Sequence, residues 1–264
     1  MQKQNSMQEI FTTDLQREKA DYLINNPDYK LSLLKGFQLQ DIAIHWSYYS
    51  GKIEGSTYTF IQTETLLKDD IAKGRFSDAL MHKNMYNLLI QEMDYIRNEK
   101  AEEIDEKLIF RCHKALTKNL ISDEERGQVR HRPVSIGGTS YIPPKDKNSL
   151  QMELSSILFE QKNYSGIEKA IFLHCNLARL QPFIDGNKRT ARMIEAIVLM
   201  NNDLLPTFSS DNDSFSQYRE ALVAFYETKD YTPYVDFMLD TQIEIAQRLS
   251  FESFSPQKGQ NLKR

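Results

Sequence analysis

Cysteine is scarce in this 264-residue chain. Cys112 and Cys175 are the only two, too few for a disulfide framework at this size, so a reducing compartment is expected. Glycine and proline are also sparse, at 10 and 8, and neither occurs between Gly74 and Gly127; a stretch without these punctuators reads as long helices. A basic excess is missing. The 33 Lys and Arg against 37 Asp and Glu leave a formal net charge of −4, which argues against a general nucleic-acid binder. No apolar run reaches the ~18 residues of a membrane-spanning helix, so no membrane partner is expected. The opening MQKQNSMQEIF lacks the apolar core of a signal peptide. Together these absences lead to the expectation of a cytoplasmic protein.

What is present is an ordinary globular composition, 40% hydrophobic and 27% charged, long enough to bury a real core. The patterning predicts helices over Asp14–Asn25, Asp41–Lys52 and Phe60–Ala72. Met81, Met85, Leu88 and Leu89 follow helical spacing, as do Leu108, Cys112 and Leu116, and such stripes read as core. The character changes at Gly127. In GQVRHRPVSIGGTSYIPP, β-branched residues flank Gly137-Gly138 and Pro143-Pro144 follows, which predicts a β-hairpin over 129–142. Helices resume near Ser149. The expected organisation is an N-terminal helical region, 1–75, a core domain, 76–250, and a flexible tail, 251–264. The fold class is mostly α with one small β-hairpin.

Ile167, Ile171, His174, Ala178 and Gln181 share one face of a helix. That helix must stop at Pro182, since the residue before proline disfavours helical geometry. The loop PFIDGN follows, and a second helix opens near Asn187. Gly186 and Asn187 therefore reach a helix N-terminus, where backbone N–H groups and the helix dipole favour an anion such as phosphate. Arg189 and Arg192 lie three apart on one face, two planar forks for phosphate oxygens. Asp185 beside them suits a Mg²⁺ held between protein and nucleotide. By themselves Asp185-Gly186-Asn187 read as no more than a turn and a cap.

The full string QPFIDGNKRTAR, Gln181 to Arg192, resembles the motif of the Fic family: His, any residue, Phe, any residue, Asp or Glu, Gly, Asn, Gly or Lys, Arg. Positions 183, 185, 186, 187, 188 and 189 match, Arg192 supplies the usual second arginine, and Gln181 stands where the family has its catalytic histidine. Two further blocks are similar to the family. The hairpin segment, with Val134, Ser135, Ile136, Gly137 and Gly138, resembles the flap that holds a target chain by strand addition. SGKIEG, 50–55, resembles the inhibitory motif of members with an N-terminal inhibitory helix, with Ser50, Glu54 and Gly55 at its marked positions.

The resemblance implies a Fic-type helical domain and a protein adenylyltransferase, moving AMP from ATP to a Ser, Thr or Tyr hydroxyl of a protein target or of the chain itself. It implies ATP and Mg²⁺ as cofactors, the metal on Asp185. Gly186, Asn187 and Lys188 would cradle the phosphates, Arg189 and Arg192 would hold the distal ones, and Phe183 would anchor the loop. Glu54 would pair with Arg192 and keep the γ-phosphate from its productive place. Family members often form dimers, so a homodimer is a further expectation. Gln181 cannot take a proton at neutral pH, and losing a general base costs about 10² to 10⁴ in rate. His174 lies seven residues away, roughly 10 Å along a helix, too far to replace it. Two other readings stay open: a catalytically silent nucleotide- or partner-binding module, and a phosphotransferase of the toxin type, whose members are much shorter.

Overall fold

A computed structural model describes residues 8–98, 101–209 and 211–254. These form ten α-helices: α1 Asp14–Asn25, α2 Gly36–Ile53, α3 Phe60–Asp69, α4 Phe76–Asn98, α5 Glu106–Leu116, α6 Lys147–Glu160, α7 Gly166–Leu180, α8 Asn187–Asn201, α9 Asn212–Thr228 and α10 Thr232–Phe254. Of the expected tail 251–264, residues 251–254 belong to α10, and 255–264 lie outside the described residues.

Local chemistry explains most boundaries. Thr13 and Thr59 begin α1 and α3 with reciprocal side-chain and backbone hydrogen bonds to Gln16 and Gln62, which satisfy N–H groups the helix cannot. Asp105 and Asp146 cap α5 and α6 through Leu108 N and Ser149 N. α7 stops at Leu180, two residues before Pro182, and Gln181 caps it in the left-handed conformation, φ 52° and ψ 56°.

The pair α7 and α8 forms the centre, packed against α4, α5, α6, α9 and α10. On α8 every residue from Arg189 to Met200 is buried. A helix buried all round is normally apolar, so the three charged residues of this buried stretch, Arg189, Arg192 and Glu195, require partners inside the protein or in a ligand. The buried hydrophobic cluster is continuous from Ile10 to Ala246.

The expected hairpin does not form. Among the described residues there is no strand, and 129–142 is irregular apart from a turn at Gly137-Gly138. Its polar groups go elsewhere than to a cross-strand ladder. Arg130 N donates to Pro182 O at 2.9 Å, the Arg130 side chain donates to the carbonyls of Gln181, Arg132 and Pro144, and Ser140 N donates to Glu227 Oε1 at 3.1 Å. The Arg179 guanidinium lies 3.6 Å over the Tyr141 ring, a cation–π contact that holds the segment against α7.

Candidate functional site

The loop between α7 and α8 is braced from within. Asn187 closes it with two hydrogen bonds of 2.8 Å, donating to Phe183 O and accepting from Phe183 N. Phe183 is fully buried and lies flat on His113 of α5, with ring centroids 3.8 Å apart. His113 accepts from Gly127 N at Nδ1 and faces Asp185 O from Nε2 at 3.0 Å, so Nε2 carries the proton. Burial pushes the His113 pKa down to about 4, which keeps the ring neutral at pH 7. Gly186 starts α8 at φ 76° with no side-chain cap. A Cβ there would stand 2.8 Å from Thr117 Cγ2, so the position is closed to other residues both by backbone geometry and by contact.

The two arginines of α8 differ. Arg192 is 2% exposed and wholly engaged. Its Nη2 donates to Glu54 Oε1 at 2.7 Å and to Ser50 O at 3.3 Å, Nε donates to Ser50 Oγ at 3.3 Å, and Nη1 to the Tyr218 hydroxyl at 3.2 Å. Burial alone would raise the Glu54 pKa, but the cations Arg192, Lys188 and Arg189 outweigh it and hold the carboxyl at about 2. Arg189 is equally buried, at 4% exposure. It makes one ion pair, Nη2 to Asp185 Oδ2 at 2.6 Å, and its Nε and Nη1 have no hydrogen-bond partner among the described residues.

The end of α2 that carries Glu54 is itself latched. His82 of α4 is fully buried, faces Ser47 O from Nδ1 at 3.1 Å and Ser56 Oγ from Nε2 at 2.9 Å. Burial lowers its pKa to about 4. The ring sits so close to Gly51 that a Cβ there would be 2.1 Å from His82 Cε1.

Glu54 and Gly55, Ile136 to Gly138, Lys188, and the α9 side chains Tyr218, Leu222 and Tyr226 enclose a cleft of about 480 Å³. That volume suits a small ligand. The lining carries Lys188 and Arg219, and Arg192 is bonded to the lining residues Glu54 and Tyr218, so the cleft favours an anionic ligand. Val134 and Ser135 are not among its lining residues.

The Fic/DOC family model matches residues 103–199, the stretch that holds this loop and α8. That stretch is a Fic/DOC family domain. The protein adenylyltransferase Fic of Drosophila persimilis is 28% identical over 198 residues, which is 73% of this chain and 38% of that protein. The chain thus spans about two-fifths of the length of such curated relatives. Two solved structures share the fold: Fic-1 from C. elegans, with TM-score 0.71, 18% identity and coverage of 90% of this chain and 72% of that one, and a Fic family protein from Desulfovibrio desulfuricans, with TM-score 0.74, 16% identity and coverage of 95% and 79%.

Gln181 closes α7 at the edge of this loop. Its Nε2 donates to Ala178 O at 2.6 Å, which turns the amide back onto the end of α7. His174 is no substitute base, because it is fully buried among Tyr218, Tyr234 and Glu195. His131 is exposed on the irregular segment 129–142. Two parts of the site had no signal in the sequence that singles them out. The α9 wall lies some thirty residues beyond the motif, and Tyr218, Leu222 and Tyr226 repeat every fourth residue, which reads as plain core. Of the residues that hold the loop from outside it, His113 carries no motif, and Arg130 reads only as part of the expected hairpin segment.

Proposed function

We propose that this protein is a protein adenylyltransferase that moves AMP from ATP to a Ser, Thr or Tyr hydroxyl of a target protein, is held off by Glu54, and is slowed by Gln181. One observation carries the reading. Of two buried arginines on the same turn of α8, one is engaged by Glu54 and the other leaves two nitrogens without a hydrogen bond among the described residues. A buried guanidinium without its full set of acceptors is costly, and phosphate oxygens are its natural complement.

The residues present fit the implied groups. Arg189 Nε and Nη1 suit phosphate oxygens. Asp185, whose side chain is 55% exposed, is open to a Mg²⁺ that takes its remaining ligands from phosphates and water. No group of three or more His, Cys, Asp or Glu among the described residues would hold a metal by itself, in keeping with a metal that arrives with the nucleotide. When bound, Mg²⁺ neutralises phosphate charge. The chain's own residues do the rest. Gly186, Asn187 and Lys188 line the start of α8 as an anion cradle, Arg189 orients the phosphates, and Arg192 takes the terminal one when Glu54 withdraws. Ile136 to Gly138 form the edge along which a target segment would lie.

Gln181 favours a second reading, a silent nucleotide-binding module, since its amide is bonded to Ala178 O and is no base. Transfer from α-³²P-ATP in cell lysate separates the two. Glu54→Gly should label protein slowly, and Glu54→Gly with Gln181→His about 10²- to 10⁴-fold faster. ATP binding without label in either variant would overturn the transferase reading and leave the module.

A further inference from the structure

From Arg192 Nη1, the guanidinium nitrogen that does not meet Glu54, buried side chains form a line into the core. The Tyr218 hydroxyl lies 3.2 Å from Arg192 Nη1 and 3.0 Å from His174 Nε2. His174 Nδ1 lies 2.8 Å from Glu195 Oε2, and the Tyr234 hydroxyl donates to the same oxygen at 2.6 Å. All four of these residues are at most 3% exposed.

The direction of each hydrogen bond follows from donor chemistry. A guanidinium only donates, so the Tyr218 oxygen accepts from Arg192. The Tyr218 proton then points to His174 Nε2, which must be an acceptor. The His174 proton therefore sits on Nδ1 and is directed at the Glu195 carboxylate. In this arrangement every proton has an acceptor, as buried polar groups require. With the imidazole proton on Nε2 instead, the Tyr218 proton would compete with Arg192 for the same space. A carboxylate on α8 thus determines, two hydrogen bonds away, which face of the Tyr218 hydroxyl meets Arg192.

The partners of Arg192 come from two places. Ser50 and Glu54 belong to α2 and its cap and leave together if that segment withdraws. Tyr218 is on α9 and stays. We propose that Glu195, His174 and Tyr218 are a positioning relay that keeps the Arg192 guanidinium aimed into the cleft after Glu54 withdraws, and so sets the preference for a nucleoside triphosphate over a diphosphate. This rests on the reading of Arg192 as the ligand of the terminal phosphate. It also gives His174 a task other than replacing the missing base: its acceptor nitrogen is committed to Tyr218.

The test is calorimetric affinity for Mg·ATP and Mg·ADP in the Glu54→Gly background, with melting temperature as a check on folding. Tyr218→Phe, which removes only the hydroxyl, should weaken ATP about tenfold, the scale of a hydrogen bond to a charged group, and leave ADP within about twofold. Equal weakening of both nucleotides, or of neither, overturns the relay. Arg192→Ala is the reference. If it removes the ATP preference while Tyr218→Phe keeps it, the relay alone falls. If Arg192→Ala itself keeps the preference, the phosphate role of Arg192 falls and the relay with it. Should Tyr218→Phe fail to fold, His174→Leu and His174→Gln decide. Leucine removes the acceptor for the Tyr218 proton and should lose the preference; glutamine retains an acceptor oxygen and should restore most of it. Both keeping it, or both losing it, overturns the relay.

Discussion

Arg189 and Arg192 stand one helical turn apart on α8, equally buried, and their surroundings could hardly differ more. Arg192 donates to Glu54, to Ser50 twice and to Tyr218, whereas Arg189 makes one pair with Asp185 and leaves Nε and Nη1 without a partner among the described residues. Burial of charge is stabilising only where its hydrogen bonds are complete. The cost of burying the first arginine is therefore offset within the protein, and the second holds a cost that a ligand can offset. The site combines a self-satisfied half with a half built for something else.

Replacing Glu54 should have the largest effect on that contrast. Glu54→Gly leaves Arg192 buried without its counter-charge and should lower unfolding stability by about 3–5 kcal/mol in denaturant titration, while Mg·ATP binding tightens. A variant that keeps full stability, or binds ATP more weakly, would contradict the pairing. Acid should reproduce part of this loss without mutation. The Glu54 carboxyl falls from an ordinary 4.5 to about 2 on folding, worth about 3 kcal/mol. A depressed folded pKa means that this contribution is complete above about 4.5 and is lost as pH falls toward 2. The stability gap between the parent and Glu54→Gln should hold constant from pH 7 to 5 and close progressively below that, and a gap independent of pH would place the Glu54 charge outside the balance.

Arg189→Ala tests the other half. In the Glu54→Gly background it should weaken Mg·ATP about 30-fold, some 2 kcal/mol for lost charge-assisted hydrogen bonds, yet leave melting almost unmoved because so few of its bonds are made within the protein. A large stability loss with unchanged affinity would reverse the assignment of the two arginines. The smallest change expected is at the latch behind Glu54. Gly51→Ala drives a methyl into His82 and should cost about 1–2 kcal/mol, with a modest gain in ATP affinity as the end of α2 loosens. A destabilised protein with no gain would mean that His82 holds α2 without governing Glu54.

Much of the fold was legible where the cause is local. Helix α1 runs over Asp14–Asn25 as its pattern predicts, α3 opens at Phe60 behind the Thr59 cap, and α8 opens at Asn187 after the proline stop. The hairpin over 129–142 was misread for a physical reason. Turn chemistry at Gly137-Gly138 is a local property, but a strand needs a partner for its backbone, and here Arg130 N is bonded to Pro182 O while Ser140 N is bonded to Glu227. Neither competitor is adjacent in sequence. The site divides in the same way. Asp185 to Arg192 sit within one continuous string and could be read together. Glu54 reaches Arg192 from 138 positions away, legible only through the SGKIEG resemblance. Tyr218 and His113 had no such string, since each meets the motif only once the helices pack.

The hydrogen bond from Arg130 N to Pro182 O ties the irregular segment 129–142 directly to the first residue of the motif loop, and Arg130 is 2% exposed. A backbone proton held this way exchanges with deuterated water only when the two segments part. Its exchange rate is therefore a clock on how often that segment and the loop separate, readable in the bare protein with no nucleotide or target present.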